Sequence, residues 1–400
     1  MATTLSFRHS AVIAIGGLLL ASCSQGSGSS TLPGAAAPAA RQPAHRAAPD
    51  AAGYRLLYQF SGGSGADPDS GLLAMNHKLY GTAEQGGAGD GVVFSITPEG
   101  AESTVLEFSG SDGSGPNAGL TNVYGTIYGT TKTGGAHDHG TVFSINNGSE
   151  KVIYSFKGGT DGQQPHSTLL YHNGLLYGTT YAGGAYASGT AYEVNAGGAE
   201  EVLYAFGKSY LDGGEPNTGF TVIGNKLYSA TYGGGAYRRG IAYSLTTQGK
   251  ERVLHSFGNE YDGSHPYNAA LLAANGVFYG TTCAGGQYNL GTVYMMSPSG
   301  EERVIYSFGK TAYDPTCPTD GLVLLHGVMY GTSYSGGATG SGTIFSVTYG
   351  GNVTVLHSFN ASGDGALPGA PLTLLNGVFF GTTTSGGTGK GYGVIFRYKP

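Results

Sequence analysis

Along the chain, short runs that alternate large apolar and polar side chains are separated by glycine-rich turns, and the whole set recurs seven times. One copy, Leu176 to Val194, reads LYGTTYAGGAYASGTAYEV. Its aromatic head stands at Tyr80, Tyr128, Tyr177, Tyr228, Tyr279, Tyr330 and Phe380, so successive steps are 48, 49, 51, 51, 51 and 50 residues. A fixed period of this size marks a repeat architecture. Within a copy, Ser167–His172 is an apolar-rich run that ends at Asn173-Gly174, a hairpin signal. Leu175–Thr180 alternates and runs into the Gly183-Gly184 loop, Gly189–Val194 is a third strand, and Glu201–Phe206 a fourth. Four strands of five or six residues joined by tight turns predict a small antiparallel meander.

The copies are offset at the two ends of the chain. The fourth strand recurs at Val105–Phe108, Val152–Phe156, Val202–Phe206, Val253–Phe257, Val304–Phe308 and Val355–Phe359, and one more stands ahead of the first repeat as Tyr54–Phe60. The last repeat stops after its third strand, near Tyr398. Pairing the surplus strand with the unfinished sheet gives a closed seven-bladed β-propeller, all-β, with four antiparallel strands per blade and no half-finished edge. A linear solenoid has no use for complementary ends. Side chains such as Leu176, Tyr192 and Leu203 are expected to pack blade against blade, each contributing about 1.5–3 kcal/mol when fully buried.

The links between blades are patterned too. An Asp precedes a Pro by four residues at Asp112, Asp161, Asp212, Asp262, Asp314 and Asp364, with Ser64 in the remaining copy. Asp followed by Gly is turn chemistry, since the carboxylate accepts local backbone N–H groups. One carboxylate per loop falls short of a calcium shell. These aspartates are therefore expected to be structural. Composition agrees with many short strands: 74 Gly, 29 Tyr, no Trp and 11% charged residues in 400. The formal charge of -6 argues against nucleic acid as a partner.

The N-terminus has a different character. Arg8 and His9 precede an apolar run, Ala11 to Ala21, which is too short to span a bilayer and ends in Leu20-Ala21-Ser22-Cys23. That ending resembles the lipobox of bacterial lipoproteins. The resemblance implies a signal peptide over 1–22, acylation of Cys23 and, with Ser24 following, an outer-membrane address facing periplasm or surface. Residues 23–53, rich in Gly, Ser, Ala and Pro, read as a flexible tether, and 54–400 as the propeller.

The run LYGTTxxGGxxxxGTVF, followed by a Val-Leu-Tyr-Ser-Phe strand, resembles the GloVer tandem repeat, which defines a family of exported bacterial proteins with a choice of anchor. Met329–Val347 and Leu176–Val194 match well; Leu227–Leu245, with Ser229 and Ala230 in place of Gly-Thr, and the shorter Leu79–Ile96 match least. The resemblance implies an architecture and no catalytic residues, cofactor or substrate.

In an up-and-down blade, the Gly-pair loops and the interblade links emerge at one end of the ring, where binding is expected. The loops carry Tyr186, Tyr237, Tyr288, Arg238 and Arg239 as candidate ligand contacts, and Tyr181, Tyr232 and Tyr334 at matching positions, which are expected to pack between loops. Tyrosine, with a flat apolar face and a hydroxyl, suits a glycan or peptide. His137-Asp138-His139 has metal-ligand types but too few of them, and reads as a solvated loop tip, so no metal or cofactor is expected. His255 and His357 replace Tyr154 and Tyr204 at one strand position, as packing variants. Cys283 and Cys317 fall at one blade junction and are expected to form a disulfide in an oxidising compartment. No nucleophile, base and carboxylate stand out from the repeat. The expected protein is a monomeric, membrane-anchored envelope propeller binding a glycan or protein ligand. Alternatives are an envelope hydrolase or lyase acting on glycan or peptide in the channel, and a structural or adhesive lipoprotein.

Overall fold

The computed structural model describes residues 53–268 and 270–400. The leader, Cys23 and all of the tether except Gly53 lie outside the described residues. From 54 onward the chain forms seven four-stranded antiparallel sheets arranged as a β-propeller. In blade 3 the strands are Leu170–His172, Leu175–Ala182, Thr190–Val194 and Glu200–Ala205. The turn at Asn173 and Gly174 has both residues at positive φ (52° and 87°), the backbone that a two-residue hairpin needs.

Blade 7 is completed from the far end of the sequence. Its strands are Thr373–Leu375, Val378–Thr383 and Val394–Tyr398, and the fourth is Tyr54–Gln59, paired antiparallel with Tyr54 opposite Tyr398 and Gln59 opposite Val394. In all seven blades the pairing of third and fourth strands shifts register once, as between Ala191 and Tyr192. A bulge there twists the outermost edge away from foreign strands.

The core is a set of junctions between neighbouring blades. The Phe that ends each fourth strand is buried at all seven positions: Phe60, Phe108, Phe156, Phe206, Phe257, Phe308 and Phe359. Each packs edge-on against the third-strand aromatic of the following blade, with centroids 5.0–5.3 Å apart, from Phe60 on Phe94 round to Phe359 on Phe396. The Gly of the Tyr-Gly-Thr head leaves room for that ring. A Cβ on Gly178 would sit 2.5 Å from the Tyr192 hydroxyl. First strands of neighbouring blades touch one another, and Thr121, Thr221 and Thr373 donate to the carbonyls of Leu169, Leu271 and Leu72 in the next blade. The short first strands thus line the axis.

At one end, every link folds back onto the Gly-pair loop of the blade it enters. Backbone bridges join Ala66 to Gln85, Ser114 to Thr133, Gln163 to Ala182, Gly213 to Gly234, Gly263 to Gly285, Pro315 to Gly336 and Ala366 to Ser385. The first Gly of the pair is what allows this approach: on Gly234 (φ 80°) a Cβ would fall 2.3 Å from the Asp212 carbonyl oxygen.

Candidate ligand-binding site at the mouth of the ring

All six link aspartates accept backbone N–H groups. Asp112 takes Ser109, Asp161 takes Lys157 at 2.6 Å, and Asp364 takes Asn360. Asp212 takes Gly207, Lys208 and Gly213, Asp262 takes Gly258 and Gly263, and Asp314 takes Gly309 and Lys310. Five of them also bind a fourth-strand side chain of the preceding blade. The hydroxyls of Tyr154, Tyr204 and Tyr306 donate to Asp161, Asp212 and Asp314, and His255 and His357 meet Asp262 and Asp364 at 2.8 and 2.7 Å. In the copy without an Asp, the Tyr58 hydroxyl donates to Ser64. His255 and His357 therefore take over a tyrosine's hydrogen bond as well as its packing.

A Glu from the next blade completes several of these junctions. Burial, followed by the charge of the link Asp, pushes Glu251 and Glu302 up to about 7 and Glu200 up to about 8. At the fifth junction His255, Asp262 and Glu302 bring one ligand atom each within 4.8 Å of one another, the group of metal-ligand types that gathers among the described residues. His137 and Asp138 are exposed, and Asp138 instead accepts the N–H of Gly134.

Closer to the axis the link changes from uniform to varied. The residue before Pro is left-handed in all seven copies: Asp67, Gly115, Gln164, Glu215, His265, Cys317 and Leu367, with φ between 49° and 65°. Six of these are not glycine, a conformation that costs about 1 kcal/mol or more each unless the fold enforces it. The enforcement is visible. In six copies the carbonyl of this residue accepts the N–H of the residue opening the Gly-pair loop, at 3.0–3.3 Å, from Glu84 to Asp67 round to Thr384 to Leu367. The kink turns the residue after Pro toward the axis. That position holds Asp69, Asn117, His166, Asn217, Tyr267, Thr319 and Gly369, seven copies with six different side chains.

Four of these positions, Asp69, Tyr267, Thr319 and Gly369, line a cavity of about 360 Å³. From the links it is lined by Asp67, Asp69, Tyr267, Thr319 and Gly369, and from the loops by Tyr232, Tyr334 and Thr384. Cys283 and Cys317, joined in a disulfide, form part of the same wall and tie loop to link between neighbouring blades. Tyr232 stacks on His265, centroids 4.6 Å apart, and stands edge-on to Tyr267. A second cavity of about 340 Å³ is lined by link residues two positions further along the chain, among them Thr168, Gly219 and Gly321, with Leu169, Phe220 and Leu322.

The mouth is electrostatically loaded. Burial and then the charges of Asp320, Asp67 and Glu84 hold Asp69 well above the usual carboxylate range. Asp320, 1% exposed, is pushed up to about 7 by burial, although the Thr332 hydroxyl donates to it. Burial lowers His166 to about 4. Burial and then the charge of Asp69 raise Tyr267, whose own blade is three places away around the ring, so these groups meet across the axis. Asn117 and Asn217 are 4% and 1% exposed, yet Asn117 Oδ1 and both ends of the Asn217 amide lack a protein hydrogen-bond partner, as does His166 Nδ1. Buried polar atoms without partners are uncommon in folded proteins and point to water or a ligand.

Tyr186, Tyr237 and Tyr288 sit at the loop tips, 42–47% exposed, together with Arg238 and Arg239, on the same end of the ring but outside the cavity wall. Tyr232 and Tyr334, expected only to pack, line the cavity. Reading down the column after each Pro would have found the varied ring in the sequence.

The Gloeobacter/Verrucomicrobia repeat matches the chain twice, over residues 44–238 and 221–400. Among solved structures, puromycin hydrolase is 12% identical with a TM-score of 0.51, covering 80% of this chain and 50% of its own. A mutant of that enzyme complexed with PGG gives 13% and 0.50 over the same shares. The chain thus spans about half the length of that enzyme. A gluconolactonase from Xanthomonas campestris is 12% identical at a TM-score of 0.40, covering 69% of this chain and 82% of its own. At such identities the likeness is one of fold. No curated protein sequence matches.

Proposed function

The chain belongs to the Gloeobacter/Verrucomicrobia repeat family, and on its seven-bladed scaffold we propose a binding module that seats a small polar ligand, a glycan or peptide fragment, in the axial mouth. The observation that carries this reading is the cavity of about 360 Å³ whose wall gathers Asp67, Asp69, Tyr267 and Thr319 from the links and Tyr232 and Tyr334 from the loops, six polar side chains facing one space. A wall that served packing alone would be apolar, because a buried polar group without a partner costs about 1–3 kcal/mol. The module is held at the bacterial envelope by a lipid on Cys23, a reading supported by the Leu-Ala-Ser-Cys ending of the leader.

The test is a thermal-shift screen of the full chain against glycan and peptide fragments. A ligand at a hundred times its dissociation constant adds about 2.7 kcal/mol. A hit that survives Tyr186→Ala and Tyr237→Ala but is lost in Tyr232→Ala or Tyr267→Ala supports the mouth. A hit lost in the first pair and kept in the second moves the site to the loop tips. Fatty-acid labelling abolished by Cys23→Ser tests the anchor.

A second reading, hydrolysis or lysis of glycan or peptide in the channel, is favoured by Asp69 and Asp320, whose carboxyls are raised toward neutrality as general acids require. Turnover of a bound fragment, abolished by Asp69→Asn with binding retained, would select it.

A further inference from the structure

Resting on the axial mouth as the binding site, we propose that the group it recognises is a compact organic cation, a protonated or quaternary amine, held between the carboxylates of Asp67 and Asp69 and the rings of Tyr232, Tyr267 and Tyr334. The cavity brings these five side chains to one space of about 360 Å³, near the lower limit for small-molecule sites.

The charge balance there is incomplete. Asp69 stands under the charges of Asp320, Asp67 and Glu84, and among the described residues Lys132 is the positive group that opposes them. That ammonium is already engaged by Glu84 at 3.2 Å. Among the described residues Asp67 and Asp69 make no ion pair. With the one lysine committed, burial and mutual repulsion favour the protonated form of these carboxyls, and a positive charge entering among them would be met by their ionised form.

The walls suit such a charge. A cation over an aromatic face is attracted by the ring quadrupole, most strongly where water is excluded. Tyr232 is fixed by stacking on His265 and by its edge contact with Tyr267, so the aromatic wall is preformed. A neutral sugar would also find flat faces and hydroxyls here, but would gain nothing from ionisation of the carboxyls.

A linkage follows. Burial raises Asp69, and Asp320, Asp67 and Glu84 raise it further, with only Lys132 opposing; burial and Glu84 raise Asp67 against the same lysine. An arriving cation favours the ionised carboxylates, so binding should release protons and tighten as pH rises. A neutral ligand accepted by the protonated carboxyl would do the reverse.

The experiment is calorimetric titration of the full chain with two matched pairs: choline against its uncharged carbon isostere, and glucosamine against N-acetylglucosamine. Expected are binding of a charged member with its neutral partner silent, and proton release measured in buffers of different ionisation enthalpy. Asp69→Asn should weaken affinity by about tenfold or more, with Asp67→Asn as the second variant should the first fail to fold. Equal binding within each pair, unaffected by Asp69→Asn, overturns the amine proposal, and so does silence from all four probes. The site itself is tested separately by Thr384→Trp, which plugs the cavity from a wall residue outside the proposed cation contact. Binding untouched by that plug removes the ligand from the mouth, whatever its charge.

Discussion

The ring of Tyr54 lies flat on that of His357, centroids 3.9 Å apart and planes within 4°, while its hydroxyl donates to the Asp364 carbonyl 310 residues away in sequence. Tyr54 stands at the strand position that blades 1 to 5 give to a Glu, opposite the end of the third strand. The first described strand therefore makes, between blades 6 and 7, the contact that a neighbouring blade makes elsewhere.

If closure is energetically equivalent to any other junction, the same truncation should cost the same around the ring. Phe60→Ala at the closing junction and Phe206→Ala within the array should each destabilise by about 3–5 kcal/mol. Both phenylalanines are 0–2% exposed and sit 5.1–5.2 Å from the next aromatic. Denaturant unfolding of the two variants checks this; a much smaller loss for Phe60→Ala would mean that the ring opens there.

Stability should decline on the alkaline side. Glu251 and Glu302 at about 7 and Glu200 at about 8 bind protons in the folded chain that the unfolded chain releases near 4.3. A raised folded value means stability fully present at low pH and lost as pH rises through that value. His166, lowered to about 4, works in the opposite sense, favouring the fold until pH falls below about 6.5. Three glutamates outweigh one histidine, so melting temperature should already be falling above about pH 5 and continue to fall to about pH 8. The triple variant Glu200→Gln, Glu251→Gln, Glu302→Gln should flatten that fall.

His255→Tyr should fold and melt close to the parent, because Tyr154, Tyr204 and Tyr306 already make the matching bond to Asp161, Asp212 and Asp314. Burial opposes charge on His255, but its hydrogen bond to Asp262 prevails and raises it. Its loss should therefore also trim the fall in melting temperature through neutral pH. If the junction instead held a metal through His255, Asp262 and Glu302, a chelator would lower the melting temperature of the parent and not of the variant.

The Cys283–Cys317 bridge spans 34 positions, for which loop entropy gives about 3–4 kcal/mol. Cys317→Ser should lose that stability under oxidising conditions and match the parent in reductant. Because the bridge is also cavity wall, ligand affinity should fall alongside it.

The array was legible because its signals repeat. The seven heads at Tyr80 through Phe380 and the surplus strand at Tyr54 each follow from local chemistry that recurs, glycine where backbones approach and an aromatic where blades meet. The site was less legible for the same reason. Attention to what recurs finds the six aspartates, which make turns, and passes over the residue after each Pro because no two neighbouring copies agree. Nor could spacing reveal that Tyr154 and His255 share one hydrogen-bonding role, since a phenol and an imidazole differ in everything but where their polar atom falls.

The seven left-handed residues before proline have an evolutionary corollary. Six of them are held in place through main-chain bonds alone, from Glu84 to Asp67 round to Thr384 to Leu367, indifferent to which side chain follows. The mouth can then be respelled one letter at a time, by point mutation or by recombination between copies, without disturbing the frame. Diversification of specificity on such a ring is separable from selection for folding, and paralogues should differ most at the seven letters that the scaffold does not read.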